Sequence, residues 1–163
     1  MRAHGGRPER GQSLVEMALV LPLLLALTVG LIDAGRAVYA YNAIARAARE
    51  GARYGAVYGG SQHPEFRWTE SGNRIGAYSA ATAPLVDSFG RTTIVGAVVR
   101  ALPGLNTADV GVQVDSWVVK PGTTPLSPGN PLRVTVSYTF RPMTPFLSGV
   151  PFPLTSVATA TVE

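Results

Sequence analysis

An apolar run of 19 residues, from Leu14 to Ile32, constrains this chain more than any other feature. As a helix it rises about 1.5 Å per residue, so the run is long enough to cross a hydrocarbon core of about 30 Å. Glu16 is the only charged residue in the run. A charged side chain costs about 2.5–3.5 kcal/mol at the bilayer centre and less near the interface, so we expect Glu16 to have a specific role.

Three interpretations of this run compete. A secretory signal peptide would have a shorter apolar region and a small-residue cleavage site, whereas Gly30 to Gly35 offers only a poor site. A plain membrane anchor requires only that Glu16 reaches the interface. A prepilin-type leader would end at Gly11, and cleavage before Gln12 would free an amine that Glu16 can neutralise when subunits pack together. The position of Gly11 at the end of a short basic segment favours this third interpretation.

The composition is that of a small exported protein. Its 163 residues, less a leader and a membrane helix, leave a single domain with a modest core. The formal charge of +4 includes three leader arginines against Glu9, so the rest of the chain carries a charge of +2. This balance does not favour a nucleic-acid partner. The chain has no cysteine, which excludes a disulfide framework and a thiolate metal site.

The helical pattern continues beyond the apolar run. It predicts one helix from about Ser13 to about Val57, with its outer half laid on a sheet. A stripe of mostly small residues predicts the face that allows close packing: Ala34, Val38, Tyr41, Ala45, Ala48, Ala52 and Gly55. We therefore expect a cytoplasmic leader at residues 1–11, a transmembrane helix at 12–33 and an extracytoplasmic domain at 34–163.

The remaining residues predict a second helix and a small antiparallel sheet. Residues 59–88 have little periodicity and are interpreted as a surface loop. Apolar residues on one face predict a helix from about Arg91 to Leu102. Alternation with a period of two then predicts three strands, at about 110–119, 132–140 and 154–162. The expected fold class is α+β, with a long N-terminal membrane helix continuing into a domain with a second helix and a small antiparallel sheet; the resemblance described below implies that this domain is pilin-like.

No pattern in the sequence indicates catalysis. Four carboxylates of the domain lack the spacing of a catalytic pair: Asp87, Asp109, Asp115 and Glu163. His63, Glu65 and Glu70 match no metal-ligand spacing, and we interpret them as polar loop residues. We therefore expect no enzyme activity, no cofactor, no metal site and no small-molecule substrate.

The N-terminal third of the chain resembles a known family. The motif Arg10-Gly11-Gln12-Ser13-Leu14-Val15-Glu16, which runs into an apolar helix, is similar to the start of TadE-like proteins, the pseudopilins of the Flp (tight adherence) pilus. The likeness continues through Ile32-Asp33-Ala34-Gly35-Arg36 and through residues 47–55. The resemblance is specific over residues 10–57. Beyond them it rests only on the order of the predicted helices and strands.

The resemblance implies a role in assembly. TadE-like proteins are processed by a prepilin peptidase and act as minor subunits beside other pilins, pseudopilins and pilus platform proteins. Carried onto this chain, Gly11 and Gln12 flank the cut, and Glu16 serves recognition or subunit registry. Asp33 and Arg36 pair at the outer interface or form only a local salt bridge. The implied location is the cytoplasmic (inner) membrane, with a single span and an extracytoplasmic C-terminal domain.

A second function class remains open. The chain can also be a membrane-anchored binding module whose sheet face or proline-rich loops bind a polysaccharide or another protein. Such a module needs only an anchor, whereas a pseudopilin needs Gly11 and Glu16. Cleavage at Gly11 therefore separates the two.

Overall fold

The computed structural model describes residues 9–58, 76–86, 90–116, 127–144 and 149–163, with side chains from Gly11 onward. Helix α1 spans Glu9–Tyr58 and is followed by strand β1, Gly76–Ser79, and helix α2, Ile94–Arg100. A short 3-10 turn, Thr107–Asp109, leads into the last three strands: β2, Val110–Asp115, β3, Pro131–Phe140, and β4, Phe152–Thr161. The predicted α+β class is confirmed.

The four strands form one antiparallel sheet in the order β1-β2-β3-β4. Val112 faces Val136 across the β2–β3 pair, and Val134 faces Ala158 across the β3–β4 pair. The residues that alternate inward on β2 and β3 are almost completely buried: Val110, Val112, Val114, Leu132, Val134 and Val136. The predicted period of two is therefore confirmed, because one face of these strands packs on the helices and the other meets water.

Strand β1 is a finding that the sequence did not predict. It lies within the stretch 59–88, which was interpreted entirely as a loop, and that interpretation is wrong for Gly76–Ser79. Four residues with Gly at one end and Ser at the other carry too little alternation to predict a strand. These four residues form a strand because they pair with β2, where Ala77 faces Gln113 and Tyr78 faces Val112. His63, Glu65 and Glu70 lie outside the described residues.

Helix α2 is shorter than predicted. It begins at Ile94, because the Thr93 side chain caps the helix by accepting a hydrogen bond of 2.9 Å from the Gly96 amide. Ile94, Val95 and Val98 are fully buried against α1 and the sheet. Strand β2 ends at Asp115, and the predicted continuation over 117–119 lies outside the described residues.

Only the second half of α1 belongs to the core of the domain. Its buried residues are Ala40, Ala43, Ile44, Ala47, Ala48, Gly51, Ala52, Gly55 and Ala56. The predicted stripe is correct at Ala48, Ala52 and Gly55 but wrong at Ala34, Val38 and Tyr41, which are exposed. Small residues lie on more than one face of this helix, so their spacing did not distinguish the face that meets the sheet.

Helix α1 runs antiparallel to β3. A Cβ at Gly55 would meet Leu132, and a Cβ at Gly51 would lie 3.3 Å from Val134. At the other end of the strand, the Arg36 guanidinium lies 5.3 Å from the centre of the Phe140 ring. The end of β3 therefore lies beside the residues of α1 that immediately follow the apolar run.

Candidate functional site

The residues of the predicted processing site lie together in the first turns of α1. Gly11, Gln12 and Glu16 are all exposed, and a Cβ at Gly11 would have nothing within 4 Å. The Gln12 side-chain amide donates a hydrogen bond of 3.2 Å to the Glu16 carboxylate. Helix α1 begins two residues before Gly11, earlier than the predicted start near Ser13. The motif is therefore presented on one accessible helical end.

The apolar run after this motif has no core to pack on in the described residues. Leu14, Leu23 and Leu31 are 72%, 63% and 75% exposed, and the most apolar window of the helix is not buried at all. By length and composition, α1 can cross a membrane. An exposed apolar surface of this length is unfavourable in water, so it suits a single-pass membrane anchor.

A second cluster of polar contacts lies at the far end of the apolar run. The Arg36 guanidinium donates a hydrogen bond of 2.8 Å to Asp33 three residues earlier in α1. The Asp33 carboxylate also accepts hydrogen bonds from the backbone amides of Met143 and Thr144, at 2.8 and 2.7 Å, and from the Thr144 hydroxyl. We call these four residues the Asp33 cluster.

The Asp33 cluster links the start of the connection between β3 and β4 to α1 by hydrogen bonds. Asp33 is only 7% exposed, and a buried carboxylate is tolerated only when its oxygen atoms are paired. Hydrogen bonds to an ionised acceptor are also stronger than neutral ones. The Asp33–Arg36 pair thus has a contact within this chain, while its action at a subunit interface stays a prediction.

Sequence reasoning missed the contribution of Met143 and Thr144. Both lie about 110 positions beyond Asp33. Two of their three donor groups are backbone amides, which every residue except proline has. No side-chain pattern could therefore have identified these partners.

The predicted site residues form two separate groups. Gly11, Gln12 and Glu16 lie at the start of the apolar run, whereas Asp33 and Arg36 follow its end. Glu16 and Asp33 are separated by roughly 25 Å along the helix axis, at about 1.5 Å per residue. This separation is close to the thickness of a hydrocarbon core, about 30 Å.

Comparison with known proteins supports the family resemblance over part of the chain. No curated protein and no solved structure matches the chain. The model of the family described as TadE-like protein matches residues 11–53, about a quarter of the chain. This match lies within α1 and contains all five predicted site residues. The resemblance to the TadE-like family, which is a family of the Flp pilus system, is thus confirmed for residues 11–53.

Proposed function

We propose that this chain is a minor pseudopilin, or assembly component, of a Flp (tight adherence) pilus. A prepilin peptidase cuts the chain between Gly11 and Gln12 on the cytoplasmic side of the inner membrane. Helix α1 then anchors the protein, and the domain lies outside the cytoplasm. The observation that carries this proposal is the Gly11–Glu16 spacing at the start of an exposed apolar helix inside the TadE-like match.

The position of Glu16 supports the assembly role. Within the chain its carboxylate is exposed and is contacted by the Gln12 side chain at 3.2 Å. Cleavage would turn Gln12 into the N-terminal residue, with a charged amine about one helical turn from Glu16. Helices that pack side by side in lipid can then pair a carboxylate of one subunit with the amine of another, which offsets the cost of burying both charges.

A pseudopilin acts by assembly, so we assign no catalytic role to the carboxylates of the domain. Asp109 binds the Arg141 guanidinium at 3.0 Å, and Asp115 accepts a hydrogen bond of 3.2 Å from the Gln113 side chain. Both contacts are exposed surface interactions, which contribute little to stability. Asp87 lies outside the described residues.

The test is the N-terminus of the protein in cells that contain the cognate prepilin peptidase. We expect membrane-extracted protein to begin at Gln12, as read by N-terminal sequencing and intact mass. Gly11→Phe should abolish the cut, because a large side chain would obstruct the peptidase at the scissile bond. Gly30→Phe is the matched control, since Gly30 also has open space around it but lies outside the motif, and its product should still begin at Gln12.

Two results would contradict the proposal. A full-length chain beside an active peptidase would leave the membrane-anchored binding module as the better hypothesis. A cut between residues 30 and 35 would instead identify the apolar run as a signal peptide.

A further inference from the structure

The β3–β4 connection lies at the end of the domain nearest the apolar run. The structure describes its residues 141–144 and 149–151. Helix α1 and strand β3 are antiparallel. The C-terminal end of β3, where the connection begins, therefore lies beside the residues of α1 that follow the apolar run. Ile32 is the last residue of that run, and Asp33, the next residue, binds the amides of Met143 and Thr144.

The Asp33 cluster fixes the height of the connection along the helix. The Met143 amide nitrogen lies 2.8 Å from the Asp33 carboxylate, and the Thr144 amide nitrogen lies 2.7 Å from it. If the apolar run fills the hydrocarbon core, Asp33 lies at the boundary between hydrocarbon and headgroups. Met143 and Thr144 must then lie at the same boundary, because they cannot move away without breaking these bonds.

The connection exposes apolar side chains at this height. Met143 is 66% exposed and Val150 is 50% exposed, and Phe152, the first residue of β4, is 42% exposed. Between Pro142 and Pro153 the sequence contains no charged residue. A connection in water usually carries polar residues, so this composition suits a surface that lipid covers.

Neighbouring side chains on α1 and β3 also suit the interfacial layer. Tyr39 and Tyr138 line an open groove beside Arg36. Tyrosine side chains are enriched at the headgroup level of membrane proteins. These residues lie close to the end of the apolar run and therefore within reach of the headgroups.

We propose that Met143, Val150 and Phe152, at the two described ends of the β3–β4 connection, form a second membrane contact of this protein, and that Asp33 holds this end of the domain so that their side chains enter the lipid interface on the domain's side. The contact is limited to the interfacial layer, because irregular backbone exposed to lipid does not occur in the hydrocarbon core. The inference rests on α1 spanning the membrane but not on cleavage or pilus assembly. Its consequence is that the domain lies at a fixed height and tilt on the bilayer.

The absence of native cysteine allows a direct test with single labels. Met143→Cys and Val150→Cys, in the full chain, are labelled with a bimane fluorophore and placed one per nanodisc, in phosphatidylcholine with phosphatidylglycerol. Leu23→Cys is the control inside the span, and Val157→Cys, 54% exposed on β4, is the control in water. Quenching by acrylamide from the water and by doxyl-labelled lipid from the bilayer is then measured.

We expect the labels at 143 and 150 to be quenched by doxyl lipid and to be roughly threefold less accessible to acrylamide than the label at 157, since interfacial segments bury apolar residues at the acyl boundary. Asp33→Asn should raise the acrylamide accessibility at 143, because the connection is then held less firmly.

Labels at 143 and 150 that match the label at 157 would overturn the proposal. Protection that appears only with two copies per disc would assign this surface to a second subunit and would also overturn it.

A label at Leu23 that acrylamide quenches freely would remove the basis of the inference, since α1 would then not span the bilayer. An unchanged label at 143 in Asp33→Asn would overturn the role of Asp33. Because no peptidase is present in this experiment, its failure is distinct from a failure of cleavage at Gly11.

Discussion

Two acidic residues of α1 show how surroundings decide what a salt bridge contributes. Asp33 pairs with Arg36 at 2.8 Å and Glu50 pairs with Arg53 at 2.6 Å, each with a spacing of three residues. The Asp33 side chain is 9% exposed, whereas that of Glu50 is 40% exposed. The hydrogen bond from Arg53 lowers the pKa of Glu50. Solvent screens the Glu50 pair, so it is expected to contribute little.

We predict that Asp33→Asn destabilises the domain by about 1–3 kcal/mol, because it weakens the hydrogen bonds that the carboxylate accepts from two backbone amides and a hydroxyl. Glu50→Gln is the matched control and should change the stability by less than about 1 kcal/mol. Denaturant unfolding of the full chain in detergent, followed by near-ultraviolet circular dichroism, gives both values. Equal small changes would show that the Asp33 cluster has no special role in stability.

At this scale the sequence could predict the Asp33–Arg36 pair but not the other two partners of Asp33, Met143 and Thr144. A spacing of three on one helix is visible in the sequence, and so is the motif from Gly11 to Glu16. The amides of Met143 and Thr144 reach Asp33 only because β3 returns along α1. Contacts of that kind depend on the tertiary fold, which the local pattern does not contain.

The helices and strands followed from periodicity where they are long enough to show it. Alternation over β3 and the single apolar face of α2 were sufficient to predict both elements. Strand β1 has four residues and exists through its pairing with β2, so its sequence could not reveal it. The face of α1 that meets the sheet was similarly ambiguous, because alanine lies on several faces of the helix.

The glycines of α1 give a prediction about how this helix packs. A Cβ at Gly51 would lie 2.6 Å from a methyl group of Val98, and one at Gly55 would collide with Leu132. Gly51→Ala should therefore destabilise the domain by about 1–3 kcal/mol, since the core must move to make room. Gly35→Ala is the matched control, because a Cβ there has nothing within 4 Å, and it should stabilise the helix by about 0.5–1 kcal/mol.

Thermal unfolding of the full chain in detergent measures both glycine variants. Helix propensity favours alanine equally at the two positions. If the two variants change the stability in opposite directions, the difference therefore reports the packing of α1 against α2 and β3. If Gly51→Ala were as stable as Gly35→Ala, the close approach of these elements would be contradicted.

The whole molecule has two parts that share one helix of about 75 Å. The first part, from Gly11 to Ile32, is exposed along most of its length, and the second carries the sheet and α2. The predicted domain boundary between residues 33 and 34 falls inside this continuous helix and stays a prediction. A change in the domain can therefore be transmitted to the membrane segment without a flexible linker.

This division predicts that Glu16 contributes to assembly without contributing to the fold. Glu16 lies far from the core, so Glu16→Ala should leave folding intact and make membrane insertion easier, because it removes a charge from the span. If Glu16 pairs with an amine of another subunit, the same variant should still reduce surface pili towards the number seen without the protein. Thr28→Ala is the matched control, since it also removes a polar group from the span, and the Thr28 hydroxyl donates a hydrogen bond of 2.8 Å to the Leu24 carbonyl of the same helix. Pili are counted by microscopy in a deletion strain carrying each variant, with membrane abundance measured by blot. Normal piliation in Glu16→Ala at equal abundance would contradict the assembly role and favour a membrane-anchored binding module.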